Sequence, residues 1–250
     1  MTSDTFWYEE LKSKNHLLSY KSPLAEKIPG QFKDPDSYYV TARIPVMVIA
    51  YNKDVYTEAE APHSFKDLSL SKYKDKIAMP NPLESGTTFT TVALLSKKLG
   101  WDYFKKLREN EVMVSGGNSA VFARIESKER PIGIVLLENV LAAKQKGLPI
   151  EMVYPTDGVG MIPSPVAILS SSKNPEIAKK VYDYFLDEEG QKVIVEKGEM
   201  HAIQTSAPAP HGAVSFQDLQ KNHLGWDHKL LLEVLKSKDQ IKAQFSSIMM

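Results

Sequence analysis

No cysteine occurs in this chain, so disulfides, thiolate metal sites and cysteine nucleophiles are excluded. Net charge is missing too. Thirty-one basic residues balance 31 acidic ones, which gives no support for nucleic-acid binding or for steering toward a membrane surface. No apolar run approaches the length needed to cross a bilayer. The first residues, Met-Thr-Ser-Asp-Thr-Phe-Trp-Tyr-Glu-Glu, have neither the basic start nor the apolar stretch of a secretory signal. Internal repeats and low-complexity segments are lacking as well. What is present is 250 residues, 42% of them hydrophobic, enough for a sizeable core in one large domain or two small lobes.

The pattern along the chain is one of strands alternating with helices, which predicts an α/β fold with largely parallel sheets. Ser3 or Asp4 can cap a first helix running to about Lys14, with Phe6, Trp7 and Leu11 on its apolar side. Residues 39–51 form one long β-rich segment interrupted by Pro45, which cannot donate to a ladder, so the strand bends there and can serve two lobes. Pro62–Leu70 reads as a capped helix, Lys76–Met79 as a short strand, Thr87–Leu99 as a helix ended by Gly100. Pro131–Leu137 is a near-continuous apolar run, as expected of a buried parallel strand, ahead of a helix at Val140–Lys146. Strands at 151–155 and 166–169 and helices at 174–186 and 188–197 follow, and Phe216–Ile248 reads as amphipathic helix.

Three places carry chemistry. Ser85-Gly86-Thr87-Thr88 opens a helix after a strand, where free amides, the positive end of the helix dipole and added hydroxyls make an anion socket; ordinary capping by Ser85 is the alternative. Ser115-Gly-Gly-Asn118-Ser119 repeats the arrangement, with Asn118 or Ser119 as the cap. Glu138 and Asn139 leave the carboxyl end of the apolar strand and can reach into a cleft, or Glu138 merely complements a helix start. A second use of Ser85 is as a nucleophile with His201 as base and Asp157 or Glu138 as orienter, but the Gly-x-Ser-x-Gly elbow is absent. The six histidines are scattered, and Tyr38 and Tyr39, adjacent on a strand, point to opposite faces, so the sequence offers no metal site and calls for no cofactor.

Tyr51-Asn52-Lys53, Pro62-His-Ser-Phe-Lys-Asp-Leu68, Tyr73-Lys-Asp-Lys-Ile-Ala-Met-Pro80, Ser85-Gly-Thr87, Gly133-Ile134, and Ser172-Lys-Asn-Pro-Glu-Ile-Ala-Lys-Lys-Val181 with Glu189-Gly-Gln191 occur in the order seen in substrate-binding proteins of ABC importers. The chain most resembles the branch containing ferric-ion, hexose-phosphate and aminoethylphosphonate binders. The resemblance implies a two-lobed periplasmic-binding-protein-like fold of type II. Its two crossing strands would be Tyr39–Tyr51 and the return at Gly160–Leu169. The implied organisation is residues 1–43 in the first lobe, 44–166 in the second, and 167–250 returning to the first with C-terminal helices. Relatives usually carry a signal and a strand, a helix and a strand before the segment matching Ser3-Asp4. The expectation is therefore a first lobe incomplete at its N-terminus, with an unpaired sheet edge, and a full-length form that is periplasmic or a cell-surface lipoprotein.

The resemblance also implies function: capture of a small anionic ligand and delivery to an ABC transporter permease, with no nucleic acid and no membrane span. Ferric relatives place two adjacent tyrosines where this chain has Glu138-Asn139-Val140, which turns the expectation from iron to a phosphorylated or phosphonate organic anion. Arg43 stands where relatives present a cleft arginine and can clamp such an anion alongside Ser85, Gly86, Thr87 and Thr88. Glu138 and Asn139 would read the hydroxylated or aminated tail, and Ser3, Asp4 and Thr5 would close that end. Ferric iron is the alternative cargo and hydrolysis the lower one.

Overall fold

Pro45 divides the long β segment as its chemistry requires, and the two halves enter different sheets. In the computed structural model, which describes residues 1–204 and 207–250, helix α1 (Thr5–Ser13) is followed by a two-residue strand β1 (Leu17–Leu18), then by β2 (Tyr39–Ile44) and β3 (Val46–Asn52) on either side of the proline. The chain continues through β4 (Ile77–Met79), α2 (Gly86–Leu99), α3 (Trp101–Glu109), β5 (Met113–Val114), α4 (Asn118–Glu126), β6 (Ile132–Leu136), α5 (Leu137–Gln145) and β7 (Ile150–Val153). It returns through β8 (Gly160–Met161) and β9 (Ser164–Leu169), and ends with α6 (Pro175–Tyr184), α7 (Glu188–Gly198), β10 (His201–Ala202), α8 (Phe216–Lys221) and α9 (His228–Met249).

One sheet has the order β1-β9-β2-β10 and the other β5-β4-β6-β3-β7, with β8 also on β3. The expected largely parallel pairing is corrected here: of the strand pairs among the described residues, only β4 with β5 and β4 with β6 run parallel, and the others are antiparallel. The cause is the double crossing. Since β2 and β3 lead out and β8 and β9 lead back, both crossings pair antiparallel, and β3 becomes an antiparallel neighbour of β6. The apolar run at 131–137 reflects burial on both faces rather than strand direction.

That burial is clearest in β3, all of whose residues are buried. Val46, Val48 and Ala50 join one apolar cluster with Val121 and Ile125 of α4 and Val140 of α5. Met47, Ile49 and Tyr51 point the other way into a cluster with Leu95 of α2, Phe104 of α3 and Phe245 of α9. The period of two along the strand thus feeds two helix layers. The first cluster also holds Val40, Ala42 and Ile44 of β2 and Val166 of β9, so the core continues through the crossing.

Other expectations shift locally. Trp7 is exposed, and Phe6 and Tyr8 supply the buried side of α1. Within Pro62–Leu70 only a 3-10 turn forms, at Lys66–Ser69, because Ser64 and Asp67 side chains bond nearby amides and Asp157 accepts from the Phe65 and Lys66 amides at 2.9 Å each. Phe216–Ile248 is two helices, interrupted near Asn222 and at Gly225, which has φ +92°. Gly190 has the tightest surroundings among the glycines. A Cβ there would lie 1.7 Å from the Tyr184 carbonyl oxygen, a backbone atom that cannot swing away, whereas one at Gly30 would meet nothing within 4 Å.

Gly190→Ala should therefore lower unfolding free energy by about 3 kcal/mol or more, the upper range for overpacking, while Gly30→Ala stays within about 0.5 kcal/mol of wild type. Urea denaturation of the two variants checks this.

Candidate functional site

Strands β5, β4 and β6 lie side by side and parallel, and each leads into a helix: β4 into α2, β5 into α4, β6 into α5. Three helix N-termini therefore gather at one edge of the sheet, each with amides that lack intrahelical acceptors. The local chemistry fits. Ser85 caps α2 by accepting from the Thr88 amide at 3.3 Å, and its Oγ lies 3.0 Å from Thr87 Oγ1 and accepts from Thr88 Oγ1 at 3.0 Å. Asn118 Nδ2 donates across from α4 to Ser85 Oγ at 3.3 Å and Thr87 Oγ1 at 3.2 Å, while its Oδ1 is buried without a partner.

The start of α1 meets this edge. A Cβ on Gly86 would sit 3.0 Å from Asp4 Cβ and 3.3 Å from the Ser3 carbonyl oxygen, so glycine is what lets the two helix starts touch. Asp4 is the α1 cap, accepting from the Trp7 amide at 3.2 Å. Ser3 Oγ donates to Ser164 Oγ at 3.3 Å, which also accepts from Arg43 Nε at 3.3 Å; Arg43 Nη1 touches Met200 Sδ. Ser3, Asp4, Arg43, Ser85, Gly86, Thr87 and Asn118 thus form a continuous set of neighbours.

Two of the expected residues are committed elsewhere. Thr5 Oγ1 donates to the Pro163 carbonyl at 3.2 Å, and the buried Thr88 hydroxyl is spent on Ser85. Ser119 is exposed on α4, and Gly117, not Asn118 or Ser119, is the α4 cap. Glu138 and Asn139 do not precede their helix: α5 begins at Leu137, so both half-buried side chains lie in its first turn. Burial pushes the Glu138 carboxyl up to about 7, against the opposing pull of its own amide and of Arg43. Burial in turn lowers the Arg43 guanidinium, with Glu138 favouring its charge.

Sequence reasoning missed Ser164 and Met200. Ser164 stands in an apolar strand beside prolines, and nothing in its local pattern signals a partner 121 residues away. The other proposed chemistries find their residues occupied. His201 Nε2 shares a 2.8 Å hydrogen bond with the Val214 carbonyl, and Asp157 serves the Phe65 and Lys66 amides. The Tyr39 phenol donates to Glu9, and burial raises its pKa, which disfavours the phenolate that iron requires. Among the described residues no three His, Asp or Glu side chains group as a metal site. Cavities lie elsewhere: one of about 470 Å³ bounded by Tyr20, Lys33, Asp34 and Tyr39, one of about 430 Å³ by Val166, Ile168 and Val181, with Tyr182 lining both, and one of about 640 Å³ by Arg108, Val112, Arg130 and Met249.

A family model described as bacterial extracellular solute-binding protein matches residues 1–230. The chain is 26% identical over 220 residues to an uncharacterized protein of Haemophilus influenzae, covering 83% of this chain and 63% of that one. It is 22% identical over 185 residues to a probable ABC transporter periplasmic-binding protein, y4fP, of Sinorhizobium fredii, covering 70% and 51%. The chain therefore spans between about half and two thirds of these curated relatives. Among solved structures, periplasmic AfuA of Actinobacillus pleuropneumoniae, with exogenous fructose-6-phosphate bound, superposes with a TM-score of 0.83 at 24% identity, covering 98% of this chain and 80% of that one. The periplasmic binding protein P5PA gives 0.82 at 27% (96% and 79%), and iron-bound HitA of Pseudomonas aeruginosa 0.81 at 21% (96% and 80%). The two-lobed, type II architecture is thereby shown.

The raised Glu138 carboxyl carries a sign. Between its ordinary value of 4.5 and about 7 the unfolded chain releases this proton and the folded one keeps it, so this group's contribution to stability falls as pH rises through that window. Glu138→Gln should be spared that loss. Its stability relative to wild type should grow from pH 4.5 to 7.5 in denaturant titrations.

Proposed function

We propose, because the chain belongs to the bacterial extracellular solute-binding protein family, that it captures a small phosphorylated or phosphonate organic anion outside the cytoplasm and hands it to the permease of an ABC importer. The observation that carries this reading is the gathering of the α2, α4 and α5 N-termini opposite the α1 start, with the half-buried Arg43 alongside. Backbone amides and a guanidinium together favour a tetrahedral oxyanion. Ser85, Thr87 and Asn118 add side-chain donors, and Glu138 and Asn139 face the remainder of the ligand. A carboxyl that is neutral below about pH 7 can donate to a hydroxyl oxygen, and once ionised it accepts from hydroxyl or ammonium groups.

Ferric iron is less well served. On the sequence resemblance, Glu138 and Asn139 stand where ferric relatives keep paired tyrosines, and Tyr39 is held as a phenol by Glu9. Hydrolysis is served less still, since Ser85, His201 and Asp157 each have separate partners.

Native mass spectrometry of the purified protein, followed by calorimetric titration, tests the reading. Gly86→Val should abolish anion binding with little loss of fold, because its added carbons meet Asp4 and Ser3 and hold the helix starts apart. Glu138→Gln should weaken a hexose phosphate or aminoethylphosphonate by about 1–3 kcal/mol, the range for a charged hydrogen bond, and leave inorganic phosphate nearly unchanged. A visible phenolate-to-iron band on adding ferric citrate, lost in Tyr39→Phe and indifferent to Glu138→Gln, would move the assignment to iron.

A further inference from the structure

Arg43 is tied to the crossing by one buried hydroxyl. Ser164 has no exposed surface; its Oγ accepts from Arg43 Nε and from Ser3 Oγ, both at 3.3 Å, and donates to the Thr2 carbonyl at 3.0 Å. Two bonds accepted and one donated saturate a serine hydroxyl. Its chain neighbours are fastened in the same way: the Pro163 carbonyl accepts from Thr5 Oγ1 at 3.2 Å and the Pro165 carbonyl from the Tyr8 hydroxyl at 2.6 Å. Three consecutive residues of the return crossing are thus stitched to the start of α1, and the middle stitch also holds the arginine.

We propose that Ser164 is a positioning residue for anion binding, setting which edge of the Arg43 guanidinium a ligand meets. The inference rests on the ligand class proposed above. A guanidinium grips an oxyanion end-on through Nη1 and Nη2, or side-on through Nε and a terminal nitrogen. Donation of Nε to Ser164 closes the side-on edge. The end-on fork remains, with the weak thioether acceptor of Met200 at Nη1 as its one hydrogen-bond partner among the described residues. Without the Ser164 hydroxyl the planar group is free to turn about its Cδ–Nε bond, and the fork loses its fixed aim. A lysine at position 43 has no edge to select, so Ser164 has nothing to orient there.

This predicts coupling that a packing role does not. Inorganic phosphate and fructose 6-phosphate are titrated calorimetrically into wild type, Ser164→Ala, Arg43→Lys and the double variant. Ser164→Ala should weaken both probes about tenfold, and the same change in the Arg43→Lys background should cost less than about twofold. Tyr8→Phe, which cuts the neighbouring stitch to Pro165, should leave both affinities within about twofold of wild type. Ser164→Cys keeps the shape of the side chain, slightly enlarged, with a poorer acceptor and gives the same pattern should the alanine variant fail to fold. An equal loss from Ser164→Ala in both backgrounds, no loss in either, or an equal loss from Tyr8→Phe overturns the inference. If wild type binds neither probe, or Arg43→Lys leaves both affinities unchanged, the reading of the cleft itself fails and this inference with it.

Discussion

A buried strand must pair its backbone, and the whole arrangement depends on how two crossing segments meet that demand at a proline. Pro45 has no amide to give, yet its carbonyl accepts from the Ile162 amide at 2.9 Å, so the outgoing and returning chains are joined at the point where both leave one sheet for the other. On one side β2 pairs with β9, on the other β3 pairs with β8. Everything that matters for the proposed site is hung from this joint. Arg43 stands two residues before it and Ser164 two residues after its partner, and the helices that carry Ser85, Asn118 and Glu138 follow strands of the sheet that β3 enters.

Much of this was legible beforehand, and the reasons differ by element. The break at Pro45, the α2 start at Ser85-Gly86 and its end at Gly100 depend on local chemistry that a linear sequence displays. The resemblance supplied the lobed architecture. Strand direction was not legible: the apolar run at Ile132–Leu136 reports burial on two faces, and only the partner, β3 or β4, decides parallel or antiparallel. Position within a helix was read one turn late at Glu138, because Leu136 and Leu137 look the same whether they end a strand or begin a helix. Long-range partners were invisible, as Ser164 shows. A serine between two prolines reads as a turn or an edge, and its value comes from a guanidinium on another strand.

The electrostatics of the cleft follow from the same placement. Arg43 comes from β2 and Glu138 from the first turn of α5, and they influence each other without either dominating, since loss of water outweighs their attraction in both cases. A protein built for stability alone gains little from such a pair. A carboxyl held near neutrality and a cation short of partners are costs that binding of a complementary ligand offsets, which is why perturbed groups at a cleft point toward function and similar groups in a surface network do not.

The contact between Gly86 and the α1 cap bears on how the proposed ligand would approach. It brings the positive ends of two helices close together, as two like magnetic poles are brought together, with the Asp4 side chain and the Ser3 carbonyl at the contact. Asp4 is a resident counter-ion, tethered by its bond to the Trp7 amide. On the proposed reading, an arriving anion would meet a space already partly neutralised, so bulk charge would be a poor passport and shape would count for more: a compact group that reaches the α2 amides past Asp4 would be favoured over a larger one of equal charge. By omitting one side chain at Gly86, the protein sets the gauge of that gate.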